Sequence, residues 1–167
     1  MELLDVYDQH GMPTGMHRLR GEKFLPGEYH LATSLWIVNP SGQLLIQKRS
    51  ATVTSSPNKW GITGGAVHSA ESSTNACLRE TYEEIGLQLC PEDIHLLYRH
   101  IAPKVIFDDF ITIRDFPIEQ AQLQAEEVSA IAWVTPDELR ELFHTGEFTF
   151  MDFSVFDQVI TYMDTHL

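Results

Sequence analysis

One short run limits what this chain can be: Arg79-Glu80-Thr81-Tyr82-Glu83-Glu84-Ile85-Gly86, which crowds three carboxylates into about one turn. At about 100° per residue, a helix here puts Glu80, Glu83 and Glu84 on one face, with Cys77, Leu78, Thr81, Tyr82 and Ile85 opposite as a core stripe. Like charges at spacings of three and four repel and weaken a helix. A hard divalent cation resolves that conflict, because Mg²⁺ takes carboxylate oxygens and commonly shares its shell with substrate phosphates. Arg79 is placed to pair with a carboxylate and hold it, since its planar fork suits bidentate bonding. An acidic turn alone, however, is as often a solvated surface as a site.

The wider block separates those readings. From Gly65 to Leu87 it runs glycine, five residues, Glu71, seven residues, Arg79-Glu80, two residues, Glu83-Glu84, one residue, Gly86-Leu87. This spacing resembles the Nudix box. Thr81 departs from the pattern, standing where the family usually carries a larger aliphatic residue. The resemblance implies an α/β fold, a Nudix-type α/β/α sandwich with a mixed central sheet. It also implies a metal-dependent hydrolase that cuts a small-molecule diphosphate with Mg²⁺ or Mn²⁺ and an activated water. By the same likeness Glu83 and Glu84 would be direct metal ligands, and Glu80 a further ligand or the base. Arg79 and Glu71 would form an orienting pair, and Gly65 would offer a carbonyl to the metal. Gly86 reads structurally: it ends the helix and lets the chain turn.

Composition bounds the partners. The chain has 167 residues, the size of one domain, with 24 acidic against 11 basic side chains and a net charge of −13. Such a balance disfavours duplex nucleic acid and anionic membrane surfaces. A small phosphorylated substrate stays compatible, because bound cations invert the local potential. No apolar run approaches the roughly 20 residues of a membrane span, and the first residues lack the form of a signal peptide. Cys77 and Cys90 do not suggest a disulfide framework, so a cytoplasmic setting is expected. Nothing in the chain decides the oligomeric state.

No repeat or linker divides the chain, and one domain over residues 1–167 is expected. Strands are predicted at Leu3–Tyr7, at His30–Val38 with Gln43–Arg49 as its hairpin partner, and at Ile94–Ile101, Val105–Asp115 and Val128–Val134. Residues 12–28 and 50–59 read as irregular, and Thr63-Gly64-Gly65 as a turn. Ser72 or Ser73 caps the helix ending near Ile85; Thr135-Pro136 starts a second that stops near Gly146, and Phe153–Met163 forms a third.

A narrower resemblance points to the Nudix branch of isopentenyl-diphosphate isomerase. It is carried by Leu25-Pro-Gly-Glu-Tyr-His30-Leu-Ala, Trp36-Ile-Val-Asn39, Leu44-Leu-Ile-Gln-Lys-Arg49 and Pro57-Asn-Lys-Trp60. The isomerase uses a cysteine after that tryptophan, and the run Trp60–His68 has none. A hydrolase is therefore favoured over an isomerase, and over a non-catalytic ligand-binding module, which commonly loses box glutamates. His30 aligns with a metal-binding histidine of the isomerase, though a histidine at a strand start usually serves the core. His68 is a loop residue within reach of a phosphate. Asp108, Asp109, Glu126 and Glu127 are further carboxylates after the box, and Glu127 is often structural in this family. Lys48 and Arg49 are possible phosphate contacts, and Phe107, Phe110 and Phe116 candidates for stacking or core.

Overall fold

A computed structural model describes residues 1–149 and 152–167. Its strands are β1 (Leu3–Tyr7), β2 (Pro13–Leu19), β3 (His30–Val38), β4 (Leu44–Arg49), β5 (Trp60–Gly61), β6 (Thr63–Ala66), β7 (His95–Ala102), β8 (Val105–Ile113) and β9 (Val128–Val134). Its helices are α1 (Ser73–Ile85), α2 (Pro136–His144) and α3 (Phe153–His166). Seven strands make a mixed sheet in which β8 lies parallel to β3 and the other pairings are antiparallel.

Period-two alternation along β3 builds the layers. Leu35 and Ile37 pack with Cys77 and Ile85 of α1, while Trp36 and Val38 pack on the other face with Leu139 of α2 and Phe156 of α3. Helices thus cover both sheet faces, the α/β/α arrangement expected.

The hairpin between β3 and β4 is a correction. The turn Asn39–Gly42 forms, with the Gly42 amide donating to the Asn39 carbonyl at 2.9 Å. The strands then diverge, and only Val38 and Leu44 pair. Leu44–Arg49 pair instead with β9. The gap is filled by Trp60–Ala66: β5 pairs with Gln47 and Lys48 of β4, and β6 pairs with Ala32–Leu35 of β3. Thr63-Gly64-Gly65, expected as a turn, is therefore a strand. A Cβ on Gly64 would stand 2.1 Å from the Thr33 carbonyl oxygen, so only glycine fits this close approach.

Residues 12–28 also depart from expectation. Pro13–Leu19 pair with β1 in a separate two-stranded ribbon. Most of β2 is solvent-exposed, so it carries no apolar alternation to betray it. The ribbon is tied to the loop before α1: the Ser69 amide donates to the Leu3 carbonyl at 2.7 Å, and Asp5 accepts from the Ser69 hydroxyl and the Ala70 amide.

Candidate active site

Helix α1 begins at Ser72, whose hydroxyl accepts the Asn75 amide at 3.1 Å. It ends at Gly86, whose left-handed backbone (φ 74°) lets its amide reach the Tyr82 carbonyl. The side assigned to the core needs two changes. Tyr82 is 58% exposed, while Glu84 is only 5% exposed and points at the sheet. The three glutamates consequently occupy different environments: Glu84 is buried, Glu80 is mostly covered, and the Glu83 side chain is 48% exposed.

Sheet residues hold Glu84. Its Oε2 accepts from Gln47 Nε2 at 2.9 Å, from the Gly64 amide at 3.1 Å and from the Thr63 hydroxyl. Burial nevertheless dominates and pushes this carboxyl up to about 7, with the nearby Glu80 charge adding to the shift and the three hydrogen bonds opposing it. Burial raises the Glu80 carboxyl as well, against the pull of Arg79. Gly65 makes room for Glu80: a Cβ there would lie 2.4 Å from its carboxyl carbon.

Arg79 ties the group together. It donates through Nε and Nη2 to both oxygens of Glu71 at 2.9 and 3.0 Å, and through Nη1 to Glu80 at 2.8 Å and Glu83 at 3.2 Å. Nη2 also donates to the Ala66 carbonyl at 3.1 Å. Despite burial, Arg79 and the His68 amide draw the Glu71 carboxyl below its ordinary range. Gly65, Glu71, Arg79, Glu80, Glu83 and Glu84 thus share one site. Among the described residues no three acidic, histidine or cysteine side chains form a finished metal cage. The donor set still suits a hard cation. Among the described residues, the hydrogen bonds to Glu80, Glu83 and Glu84 each engage one carboxylate oxygen and leave the other free.

The remaining candidates disperse. Asp108 is held by Arg99 Nε at 2.5 Å and Nη2 at 2.7 Å and serves packing. Asp109, on β8, lines a cleft whose lining also includes Gly64 and Gly65. The backbones of Glu126 and Glu127 accept from Thr52 and Ser50 and secure the 50s loop. The His30 ring lies tilted against Phe24 with centroids 5.3 Å apart, and burial lowers its pKa. Phe110 and Phe116 are core. Lys48 covers the Trp60 ring, and the Arg49 Nε bonds the Ser55 carbonyl. His68 sits 3.5 Å from Glu2, the residue before β1.

Missed from the sequence were Gln47 and Thr63, which hold Glu84, and the cleft itself. The cleft measures about 330 Å³ and includes Ser34, Trp36, His100, Phe107 and Asp109 in its lining, with Gly64 and Gly65 at its border. The apolar run Leu44–Ile46 marks Gln47 as a polar residue in a buried strand, which was the one available signal.

The NUDIX domain family matches residues 28–152. This chain belongs to the Nudix hydrolase family. An uncharacterized Nudix hydrolase of Listeria monocytogenes is 34% identical over 149 residues, covering 89% of this chain and 88% of the relative. An isopentenyl-diphosphate Delta-isomerase of Streptomyces coelicolor is 31% identical over 145 residues, covering 83% and 74%. A solved protein of Deinococcus radiodurans shares the fold with a TM-score of 0.76 at 23% identity, over 91% of this chain and 94% of that one. The Nudix fold and the enzyme class expected from the box are both met. No described helix is long and apolar enough to cross a membrane.

Proposed function

We propose that residues 1–167 form one catalytic domain, a divalent-cation-dependent hydrolase of small organic diphosphates. The observation that carries the reading is the Arg79 fork spanning Glu71, Glu80 and Glu83 beside buried Glu84, with a carboxylate oxygen free on each of three glutamates. Glu83 and Glu84 would hold Mg²⁺ or Mn²⁺ directly, with Glu80 as a further ligand and the Gly65 carbonyl as a second-tier one. A bound divalent ion neutralises phosphate charge and lowers the pKa of water. The chain's own residues supply the rest. Glu80, made more basic by burial, is suited to take a proton from attacking water. Glu71 fixes Arg79, and Arg79 fixes the angle of the Glu80 carboxylate, a positioning role. Thr63, Gln47 and the Gly64 amide hold one oxygen of Glu84 and leave the other for the ion. Two free cysteines fit a reducing, cytoplasmic setting.

The isomerase relatives support a second reading, in which a thiol protonates and deprotonates carbon. Burial pushes the Cys77 thiol up to about 12, Cys90 lies beyond the helix, and the Trp60–His68 run lacks cysteine. The hydrolase reading is therefore preferred. A panel of nucleotide-linked, coenzyme A and isoprenoid diphosphates with Mg²⁺ or Mn²⁺ should release a phosphorylated product, and EDTA should abolish release. Isomer exchange of isopentenyl diphosphate without phosphate release would replace this proposal with the isomerase.

A further inference from the structure

A carboxylate of the two-stranded ribbon grips the loop that carries Glu71. Asp5 stands on β1 opposite His17 of β2. Its Oδ1 accepts the Ser69 hydroxyl at 2.6 Å, and its Oδ2 accepts the Ala70 amide at 3.1 Å. His17 Nδ1 lies 2.7 Å from the same Oδ1. Despite partial burial, these bonds draw the Asp5 carboxyl below its ordinary range. Ala70 has a left-handed backbone, φ 63°, which a residue with a Cβ adopts only at a cost in free energy. Asp5 thus holds the loop in a shape that the backbone disfavours.

That loop carries the first member of the orienting pair. The Glu71 amide donates to the His68 carbonyl at 3.1 Å, and the His68 amide donates to Glu71 Oε2 at 3.1 Å. Turn and carboxylate are therefore locked together. Both Glu71 oxygens then receive Arg79, whose Nη1 reaches Glu80 at 2.8 Å. Docking of the ribbon has other supports than Asp5. Leu4 and Val6, flanking it in the strand, are buried, and the Tyr7 and Tyr29 backbones exchange two hydrogen bonds of 2.8 and 2.9 Å. Nor is the cluster a nucleophilic triad. Ser69 and Asp5 both face His17 Nδ1, at 3.3 and 2.7 Å, so the ring cannot pass a proton from one to the other. The bonds of Asp5 serve the turn.

We propose that Asp5 is a positioning residue for hydrolysis: by fixing the 68–71 turn it fixes Glu71, the Arg79 fork and thereby the angle of the Glu80 carboxylate. The inference rests on the hydrolase reading above and extends its machinery into the ribbon.

Two measurements test it, one of them independent of activity. Steady-state hydrolysis is followed with Mg²⁺ on the panel of nucleotide-linked, coenzyme A and isoprenoid diphosphates. The Arg79 Nε–H resonance in proton–nitrogen correlation spectra, assigned by its loss in Arg79→Lys, reports the bond to Glu71. Asp5→Ala should lower kcat about tenfold or more with KM within about threefold, and should shift or broaden that resonance. Ala70→Gly, added to the Asp5 variant, should recover about threefold or more of the loss and restore the resonance, because glycine takes the left-handed turn freely. Thr14→Val, which removes the Thr14 hydroxyl bond to the Val6 carbonyl inside the ribbon, should leave kcat within about twofold of the parent. Should Asp5→Ala fail to fold, Asp5→Asn stands in with the same direction of change, since it offers one acceptor oxygen to two donors. Unchanged kcat or an unmoved resonance in the Asp5 variant, no recovery with Ala70→Gly, or an equal kcat loss in Thr14→Val would each overturn the proposal. A resonance that moves with Asp5 and returns with Ala70→Gly, in a protein that hydrolyses nothing in the panel, would support the linkage and sink the hydrolase reading. Hydrolysis by the parent with a resonance indifferent to Asp5 would do the reverse.

Discussion

Glu84 is the residue whose chemistry is most at odds with its surroundings. Its carboxyl ionises near 7 in the folded chain and near 4.5 when unfolded. Between those values only the folded state keeps the proton, so stability falls as pH rises through this window. At about 1.4 kcal/mol per pH unit the loss amounts to roughly 3 kcal/mol above pH 7. Thermal melts in EDTA should accordingly drop between about pH 4.5 and 7, and the Glu84→Gln protein should melt with a flatter profile. The same substitution should lower turnover by about 100-fold or more while leaving circular dichroism unchanged. A Glu84→Gln enzyme with near-normal turnover would remove the role given to it. The box showed that three glutamates belong together, since spacing alone carries that. It did not show that they differ, because burial of Glu84 depends on Gln47 and Thr63, distant in sequence and joined only by the sheet.

Strand β6 is the element on which the site hangs, and its adjacent glycines should respond differently to alanine. At Gly64 the added methyl meets the backbone of β3, which cannot yield. Gly64→Ala should destabilise by about 3 kcal/mol or more, lowering the melting temperature by several degrees. At Gly65 the methyl meets the end of the Glu80 side chain, which can swing away. Gly65→Ala should melt within a few degrees of the parent and lose activity about 100-fold, because a displaced carboxylate is a catalytic fault. A large stability loss at Gly65 would show that Glu80 is rigidly held. The helix starts at Ser72 and Thr135 and the αL stop at Gly86 were legible because capping is local chemistry. Strand β1 was legible too, but its partner β2 and the true partners of β4 were not. Ribbon pairing is backbone bonding with little burial, and β4 chooses β9 across a separation of about eighty residues that no local pattern encodes.

Across the whole molecule, the surplus of acidic side chains sets up self-repulsion, and it also opposes an anionic substrate. Raising NaCl from about 0.01 to 0.15 M shortens the Debye length from about 30 to 8 Å. At saturating Mg²⁺, KM for a diphosphate should therefore fall or hold steady over that range. A steep rise in KM would reveal a cationic steering surface that the charge balance does not suggest. The parting of β3 from β4 has its own mechanical outcome. The ladders run along β3–β8 and β4–β9, and between them β5 and β6 stitch the two halves through six further residue pairs. A proline placed in that stitching, within Trp60–Ala66, should therefore loosen both halves together, and hydrogen exchange should report it as faster exchange along β3 and β4 alike.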